Sequence, residues 1–216
     1  MRIFIVECPD PMDLLQERSE AVALERMCRL LGHEVAVFQV QSFSRLRETC
    51  RFIASIDEDH DAKKKPDLPL CVHIAAHGNP DGLGFGLETV TWEELADAIL
   101  PLAKVARYSG PLIVVISACD AGQQSLTSEL EDHWQKGAKV RPPAYVFVTC
   151  DARLDWSASV AAWTIFYHLM PKADLDDPKT VREVLTKVKA AGGAVLRYYR
   201  WDRKNKEYMK YEPKEN

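Results

Sequence analysis

The residues Pro111 to Gly122 constrain the fold of this chain more than any other stretch. They read Pro-Leu-Ile-Val-Val-Ile-Ser-Ala-Cys-Asp-Ala-Gly, an apolar, β-branched run that stops on small residues around Cys119. Such a run, bounded by turn-forming residues, indicates a strand that is buried on both faces of a sheet. Because open α/β sheets carry their chemistry at the edge where strands lead into helices, we expect the Cys119 thiol to lie at a functional edge.

A second run of the same kind extends from Leu70 to Ala76 and leads into His77-Gly78-Asn79-Pro80-Asp81-Gly82. Glycine and proline end any strand there, so His77 also follows a strand end. If the two strands are parallel neighbours, His77 and Cys119 emerge at the same edge of the sheet. A thiol beside an imidazole is a sufficient minimum for acyl transfer, because the imidazole takes the thiol proton or stabilises the thiolate.

Two backbone groups near this pair are predicted to form an oxyanion hole. Gly78 has no side chain, so its N–H can approach a reacting carbonyl oxygen, and the N–H of Cys119 is the second predicted donor. A metal site of His73, His77 and Cys119 is the competing interpretation, since His73 shares strand parity with His77. No convincing fourth ligand is present in the sequence, and we therefore predict no metal and no cofactor.

The two strand ends resemble the His-Gly and Ser-Ala-Cys motifs of the caspase-like cysteine peptidases of clan CD. The matching stretches are Ala75-Ala76-His77-Gly78 and Ile116-Ser117-Ala118-Cys119-Asp120-Ala121-Gly122, most similar to the bacterial CHAT and metacaspase-like groups. His77 precedes Cys119 by 42 residues, in the order of the caspase signature, whose histidine lies about 50 residues upstream. The glutamine-containing pentapeptide of animal caspases is absent, and Ser117 stands where metacaspases carry an aspartate.

The resemblance implies a cysteine endopeptidase that cuts protein substrates, with His77 and Cys119 as the catalytic pair. Bacterial members of these groups are often triggered components of antiviral or cell-death systems, which implies an activating peptidase or a regulatory protein as a partner. The alternative is a catalytically silent or regulatory binding module on the same fold, partner to an active peptidase. A cysteine at a strand end is often only a small buried hydrophobe. The presence of both His77 and Cys119 favours the enzyme.

Composition restricts the remaining possibilities. A chain of 216 residues with 47% apolar content can bury one core, so we predict a single domain over residues 1–216. The net charge of −4 argues against a dedicated nucleic-acid binder. The six cysteines lack metal-ligand spacing and indicate reduced thiols. Charge and proline come too early for a signal peptide, and no apolar run approaches the ~18 residues of a membrane span, so we expect a cytoplasmic protein without membrane contact.

Predicted strands and helices alternate along the chain. The strands are 2–6, 34–40, 70–76, the run before Cys119, and 144–149. The first helix is predicted to bury Leu15, Val22, Leu24, Met27, Cys28 and Leu31 on one broad face. Later helices begin at the Ser42 cap, at the Thr91–Glu94 capping box, at Gln123, at Trp156 and at the Asp177-Pro178 pair. The alternation predicts an α/β fold of three layers, with a mostly parallel central sheet, helices on both faces and a C-terminal hairpin.

Carboxylates follow several of the predicted strand ends, where arginine is almost absent. They are Glu7, Asp10, Asp120, Asp151 and Asp155. A partly desolvated carboxylate suits a basic side chain, so we predict cleavage after lysine or arginine, with Asp10 and Asp151 as substrate-binding residues. The alternative is that these acids only cap the helices that follow. The basic stretches 63–65 and 136–141 are then predicted sites of self-processing or of cutting by an activating peptidase.

The C-terminal hairpin, predicted over 194–201 and 206–211, mixes basic and aromatic side chains. This combination also occurs in proteins that bind single-stranded nucleic acid. Alternating aromatic and charged side chains are, however, a common way to protect the open edge of a sheet. We therefore favour an edge or a protein interface and predict no nucleic-acid partner.

Overall fold

Runs of apolar, β-branched residues become buried strands, as the sequence pattern predicts. The structure is a computed structural model that describes residues 1–56, 68–103, 110–135 and 142–214. Its strands are β1 (Arg2–Cys8), β2 (Glu34–Gln39), β3 (Leu70–Ala76), β4 (Gly78–Asn79), β5 (Gly82–Phe85), β6 (Glu88–Thr91), β7 (Leu112–Ser117), β8 (Tyr145–Thr149), β9 (Leu196–Asp202) and β10 (Glu207–Tyr211).

The helices alternate with the long strands. They are α1 (Pro11–Leu15), α2 (Glu20–Leu30), α3 (Phe43–Ile56), α4 (Trp92–Ala103), α5 (Leu126–Gln135), α6 (Trp156–Leu169) and α7 (Pro178–Ala190), with short 3-10 turns at Ala121–Gln123 and Met170–Lys172. Several caps are the predicted ones. The Ser42 hydroxyl accepts from the N–H of Arg45, and Glu94 and Thr91 form the reciprocal capping box at the start of α4.

The central sheet has seven strands in the order β10-β9-β8-β7-β3-β1-β2, and β4, β5 and β6 form a small second sheet. β2, β1, β3, β7 and β8 are parallel neighbours, whereas β9 and β10 add an antiparallel hairpin beside β8. The predicted mostly parallel sheet and the C-terminal hairpin are therefore confirmed. β3 lies directly beside β7, so the strand ends that precede His77 and Cys119 meet at one edge.

Helices cover both faces of this sheet. The apolar layer is the face covered by α3, α4 and α5, and its central strand residues are Phe4, Val6, Val72, Ile74, Val114, Ile116, Val146 and Val148. The opposite layer is the face covered by α2, α6 and α7, and its central strand residues include Ile3, Ile5, Cys71, Ile113, Val115, Tyr145 and Phe147. This arrangement confirms the predicted three-layer α/β architecture.

The prediction of one long helix before Gly32 is wrong, because the chain breaks it into α1 and α2. Asp10 caps α1, and the helix stops after one turn and a half at Leu15. Glu17 then adopts a left-handed conformation with φ of 54°. The Ser19 hydroxyl accepts from the N–H of Val22 and starts α2 anew.

The break also changes which side chains are buried. Leu15 is 76% exposed, and Val22 and Met27 also face solvent. Leu24 and Cys28 are buried as predicted. The shift in helical phase turns an acidic residue inward instead, since Glu20 at the start of α2 is only 2% exposed.

Some predictions fall on parts of the chain that the structure does not describe. The basic stretches 63–65 and 136–141 lie outside the described residues, and their processing stays a prediction. Among the described residues, no helix combines the length and the apolar character that crossing a bilayer requires.

Candidate active site

The two residues predicted to carry the chemistry lie at the same edge of the sheet. β3 and β7 pair in parallel with Ala75 opposite Ser117, and His77 and Cys119 each follow two residues later. Both side chains line one cavity of about 40 Å³. Cys119 is half-buried and His77 is exposed, so the pair is reachable from solvent. The fold thus brings together the thiol and the imidazole that the sequence pattern singled out.

The backbone around Cys119 is held in place from the neighbouring strand. The Thr149 hydroxyl at the end of β8 donates to the carbonyl of Ala118 (2.6 Å) and accepts from its N–H (3.1 Å). On the other side of Cys119, Asp120 adopts a left-handed conformation with φ of 55°, and its N–H donates to the carbonyl of Asp151. The thiol therefore sits on a sharp turn that both flanking residues fix.

Gly78 packs directly against this turn. A Cβ atom on Gly78 would lie 2.5 Å from the carbonyl oxygen of Cys119 and 2.8 Å from the Cβ of Ala118. Any side chain here would therefore push the two strand ends apart. This close approach places the backbones of Gly78 and Cys119 side by side, and their use as oxyanion donors stays a prediction.

A carboxylate that the sequence analysis did not single out contacts His77. Nε2 of His77 lies 2.7 Å from Oδ2 of Asp13 in α1. Asp13 is only 6% exposed although α1 is a short surface helix. The ring of Trp156 stands edge-on to the His77 ring, with centroids 6.3 Å apart at 85°. The imidazole is thus held on one side by an acid and on another by an aromatic ring.

The sulfur of Cys119 also has a backbone donor. The N–H of Leu154, in the segment between β8 and α6, points at Sγ with an N···S distance of 3.3 Å. Leu154 and Trp156 are half-buried and line the cavity beside Cys119. This segment therefore forms the outer wall of the cavity and contacts both members of the pair.

The inner end of the cavity is formed by a buried polar cluster. The cluster consists of Glu20, His73, Ser117, Ser159 and Tyr167. One oxygen of the Glu20 carboxylate lies 2.7 Å from Nε2 of His73. The other accepts from the Ser117 hydroxyl at 3.0 Å and from the Ser159 hydroxyl. Glu20, Ser117 and Ser159 all line the cavity, so a carboxylate stands at its buried end.

Tyr167 closes the cluster on the far side of His73. Its hydroxyl lies 2.8 Å from Nδ1 of His73 and 3.5 Å from the sulfur of Cys71. Burial raises the pKa of Tyr167 well above its ordinary value, so the phenol keeps its proton. Tyr167 and Glu20 thus contact the two ring nitrogens of His73 and fix the ring between them.

The two predicted substrate-binding acids lie elsewhere on this edge. Oδ1 of Asp10 accepts from the N–H of Met12 at 2.8 Å and caps α1. Oδ2 of Asp151 accepts from the N–H of Val195 at 2.9 Å. Neither is among the described residues that line the cavity beside Cys119. Asp10 caps α1 as the capping alternative anticipates, whereas the contact of Asp151 joins it to Val195, 44 residues along the chain, and is not a helix cap. A substrate-binding role for both acids stays a prediction.

The other cysteines differ from Cys119 in their surroundings. All six are free thiols, and Cys8, Cys28, Cys50 and Cys71 are buried. Burial raises the pKa of Cys50 and Cys71 to about 12, and it also raises that of half-buried Cys150. Within the described residues, no group of three or more His, Cys, Asp or Glu side chains could hold a metal ion.

Solved structures resemble this arrangement of strands and helices. Caspase-1 from Spodoptera frugiperda matches 87% of this chain and 75% of its own length, with a TM-score of 0.51 and 16% identity. drICE matches 90% of this chain and 85% of its own length, with a TM-score of 0.52 and 15% identity. The chain has a caspase-like fold. At such low identity the likeness shows the fold alone, and the narrower resemblance to CHAT and metacaspase-like groups stays a prediction.

Sequence comparisons add nothing to this result, since no protein-family model matches the chain and no curated protein is similar to it in sequence. The caspase-like fold therefore rests on the arrangement of strands and helices. Support for the chemistry comes from the geometry of His77, Cys119 and their neighbours.

Proposed function

We propose that this protein is a cysteine endopeptidase in which Cys119 is the nucleophile and His77 is the base. The observation that carries the proposal is that the two side chains share one cavity at the carboxyl ends of adjacent parallel strands. In open α/β sheets this edge is where ligands bind and chemistry occurs. The caspase-like fold supports the same reaction class.

The reaction divides into acylation and deacylation. His77 takes the proton of Cys119, the sulfur bonds to the carbonyl carbon of the substrate, and the negative oxygen is held by the N–H groups of Gly78 and Cys119. The C–N bond then breaks, and the imidazolium returns the proton to the leaving amine. A water molecule, deprotonated by His77, then cleaves the thioester and releases the acid.

The preferred substrate has a lysine or arginine before the cut. Glu20 supports this preference, because its carboxylate stands at the buried end of the cavity beside Cys119, and the oxygen that Ser117 and Ser159 contact has neutral hydroxyl partners. Its other oxygen contacts His73. Ala75 and Ala118 line the same cavity and leave room for an aliphatic stem. A basic side chain would pair with Glu20, while the predicted acids Asp10 and Asp151 would attract it to the edge.

The cavity must open for such a side chain to enter. Its volume of about 40 Å³ has room for only a few water molecules, since each needs roughly 10–15 Å³ of such space, and a lysine or arginine side chain is larger. Leu154 and Trp156 form the half-buried outer wall, and we expect this segment to move outward when substrate binds. Since Leu154 also holds the sulfur of Cys119, substrate entry would release the thiol at the same time.

A requirement for opening also fits a triggered enzyme. An activating peptidase or a regulatory protein is the proposed partner, acting in antiviral defence or cell death. Cleavage within the basic stretches 63–65 or 136–141 is the proposed route of processing.

The first experiment tests the peptidase chemistry with Cys119→Ala against Cys150→Ala. Cys150 is the matched control because it also follows a parallel strand and is also half-buried. Purified protein is incubated with a peptide library under single-turnover conditions. We expect Cys119→Ala to lose cleavage by several orders of magnitude and Cys150→Ala to retain it. Equal turnover by wild type and Cys119→Ala would contradict the proposal.

The second experiment tests the preference for basic residues with Glu20→Gln against Glu7→Gln. Glu7 is also a buried carboxylate at this edge, but it accepts from Ser19 and Ala21 and is not among the described cavity residues. Only Glu20→Gln should lower cleavage after lysine and arginine, while labelling of Cys119 by iodoacetamide persists. A wild-type profile that favours aspartate or apolar residues before the cut would overturn the preference.

A further inference from the structure

We infer that Asp13 is the residue that orients His77, so that the catalytic unit consists of Asp13, His77 and Cys119. The inference rests on the proposed function and adds a third member to the pair. Asp13 acts through the imidazole and is therefore a positioning residue. Its contact is the 2.7 Å approach of Oδ2 to Nε2 of His77.

The chain around Asp13 is built to hold this contact. Asp10 and Pro11 fix the start of α1, and the N–H of Arg18 donates to the carbonyl of Asp13 at 2.8 Å. Three apolar side chains of the same helix face solvent, namely Met12, Leu14 and Leu15. Asp13 is the one described residue of α1 that is buried. A helix that exposes its apolar residues and buries its acid is organised around that acid.

His77 is anchored by its backbone as well. Its carbonyl accepts from the N–H of Gly84 at 2.8 Å, which ties the residue to β5. With the backbone held by β5 and the ring flanked by Trp156, the remaining freedom is the choice of ring nitrogen that carries the proton. Asp13 determines that choice.

A carboxylate has no proton to give, so it can only accept from Nε2–H. Neutral His77 must then keep its proton on Nε2, and Nδ1 is left with the lone pair. Nδ1 is thus the nitrogen that can take the proton of Cys119. Once that proton has moved, the imidazolium gains a direct charge-assisted hydrogen bond to Asp13. The same logic gives the orienting aspartate of serine peptidases its role.

The test compares Asp13→Asn with Asp13→Glu and with Glu17→Gln. Glu17 is an exposed carboxylate of the same segment and serves as the matched control. The tautomer of His77 is read from ¹⁵N shifts of the ring nitrogens in histidine-labelled protein, with the His77 signal assigned from His77→Gln. Steady-state kinetics on a peptide substrate supply kcat and KM for each variant, and circular dichroism verifies folding.

We expect wild-type His77 to carry its neutral-state proton on Nε2 and Asp13→Asn to lose this bias. The kcat of Asp13→Asn should fall about 10²- to 10⁴-fold with KM nearly unchanged, as expected when a base is left in the wrong tautomer. Asp13→Glu should restore part of the tautomer bias and of kcat, and Glu17→Gln should match wild type. If Asp13 had only a structural role, replacing it would leave the His77 proton on the same ring nitrogen.

The tautomer measurement separates this inference from the proposed function. If no peptide is cleaved but Asp13→Asn still shifts the His77 proton, the peptidase proposal fails and the orienting contact stands. A wild-type His77 with its neutral-state proton on Nδ1 would overturn the inference. So would an Asp13→Asn variant with an unchanged tautomer.

Discussion

The two faces of the central sheet are built from alternate residues of the same strands, yet they differ in kind. Near their carboxyl ends the strands carry Val6, Ile74, Ile116 and Val148 on the apolar layer. On the opposite layer the matching strands carry Glu7, His73, Ser117 and Thr149, and all four are buried. Each of these polar side chains has a hydrogen-bond partner. One face of the sheet thus stays apolar at these strand ends, whereas the other becomes polar next to the candidate active site.

The difference between the two layers points to the position of the buried polar side chains. Buried polar groups cost free energy unless they are fully hydrogen-bonded, and packed hydrophobes of similar size often serve stability better. The apolar layer needs no such groups. On the opposite layer Ser117 lines the cavity beside Cys119, His73 contacts Glu20 at its buried end, and Thr149 holds the backbone of Ala118 before Cys119. The proposed chemistry would need a charge and a fixed backbone at this place.

The largest effect is expected for His77→Ala, at the sheet edge that carries the candidate active site. This substitution should lower kcat/KM at least about 10³-fold. His77 is exposed, so the free energy of unfolding should change by less than about 0.5 kcal/mol apart from the lost contact to Asp13. The control is His133→Ala, since His133 lies on α5 of the apolar layer and pairs with Asp97 at 3.2 Å. Both variants are assayed for peptide cleavage. Full activity of His77→Ala would show that His77 is not the base.

The features that could be predicted from the sequence are those set by local pattern. Apolar β-branched runs defined the strands, and glycine and proline marked the ends of β3 and β7. The mostly parallel direction of the strands followed from their alternation with helices, and the shared edge of His77 and Cys119 followed from the strand ends once β3 and β7 are neighbours. These features depend on residues that are close together in the chain.

Asp13 and Glu20 could not be found in this way, because each meets its partner only through the tertiary fold. Asp13 lies 64 residues from His77, and Glu20 lies 97 residues from Ser117. In the sequence both read as ordinary acids at helix starts. The break at Glu17, which turns Glu20 inward, carries no glycine to mark it. The one available signal was the shared parity of Glu7, His73, Ser117 and Thr149 on their strands.

A second prediction uses two neighbours that face opposite layers. Ile116→Ala should lower the free energy of unfolding by about 2–5 kcal/mol, because it leaves a cavity in the apolar layer. Ser117→Ala should cost about 1–3 kcal/mol, because Glu20 and the indole N–H of Trp163 lose a partner. Urea unfolding of each variant supplies the two values.

A double-mutant cycle sharpens the same comparison. Ser117→Ala and Glu20→Gln should be coupled by about 1 kcal/mol, since the two side chains share a hydrogen bond. Ile116→Ala and Glu20→Gln should be additive within about 0.5 kcal/mol. Equal coupling for both pairs would mean that the two layers do not behave as separate units.

The smallest expected effect concerns buried thiols, which both layers contain. Cys50 lies in the apolar layer and Cys71 in the opposite one, and burial raises each pKa from 9.0 to about 12. The folded state keeps these protons while the unfolded state releases them above pH 9. Their contribution to stability is therefore complete below pH 9 and is lost progressively between pH 9 and 12. Each thiol accounts for a loss on the order of 1 kcal/mol at pH 10.

Urea unfolding at pH 8 and pH 10 should show this loss, and Cys50→Ala should reduce it by the share of one thiol. Cys71→Ala should flatten the pH dependence slightly more than Cys50→Ala, because the Cys71 sulfur also helps to raise the pKa of Tyr167, and its removal lets that pKa fall part of the way back. The difference should be small, since Tyr167 stays buried in both variants and burial is the main cause of its raised pKa. If both alanine variants flatten the pH dependence equally, the Cys71 sulfur adds nothing to the retention of the Tyr167 proton, and the two thiols respond to pH alike.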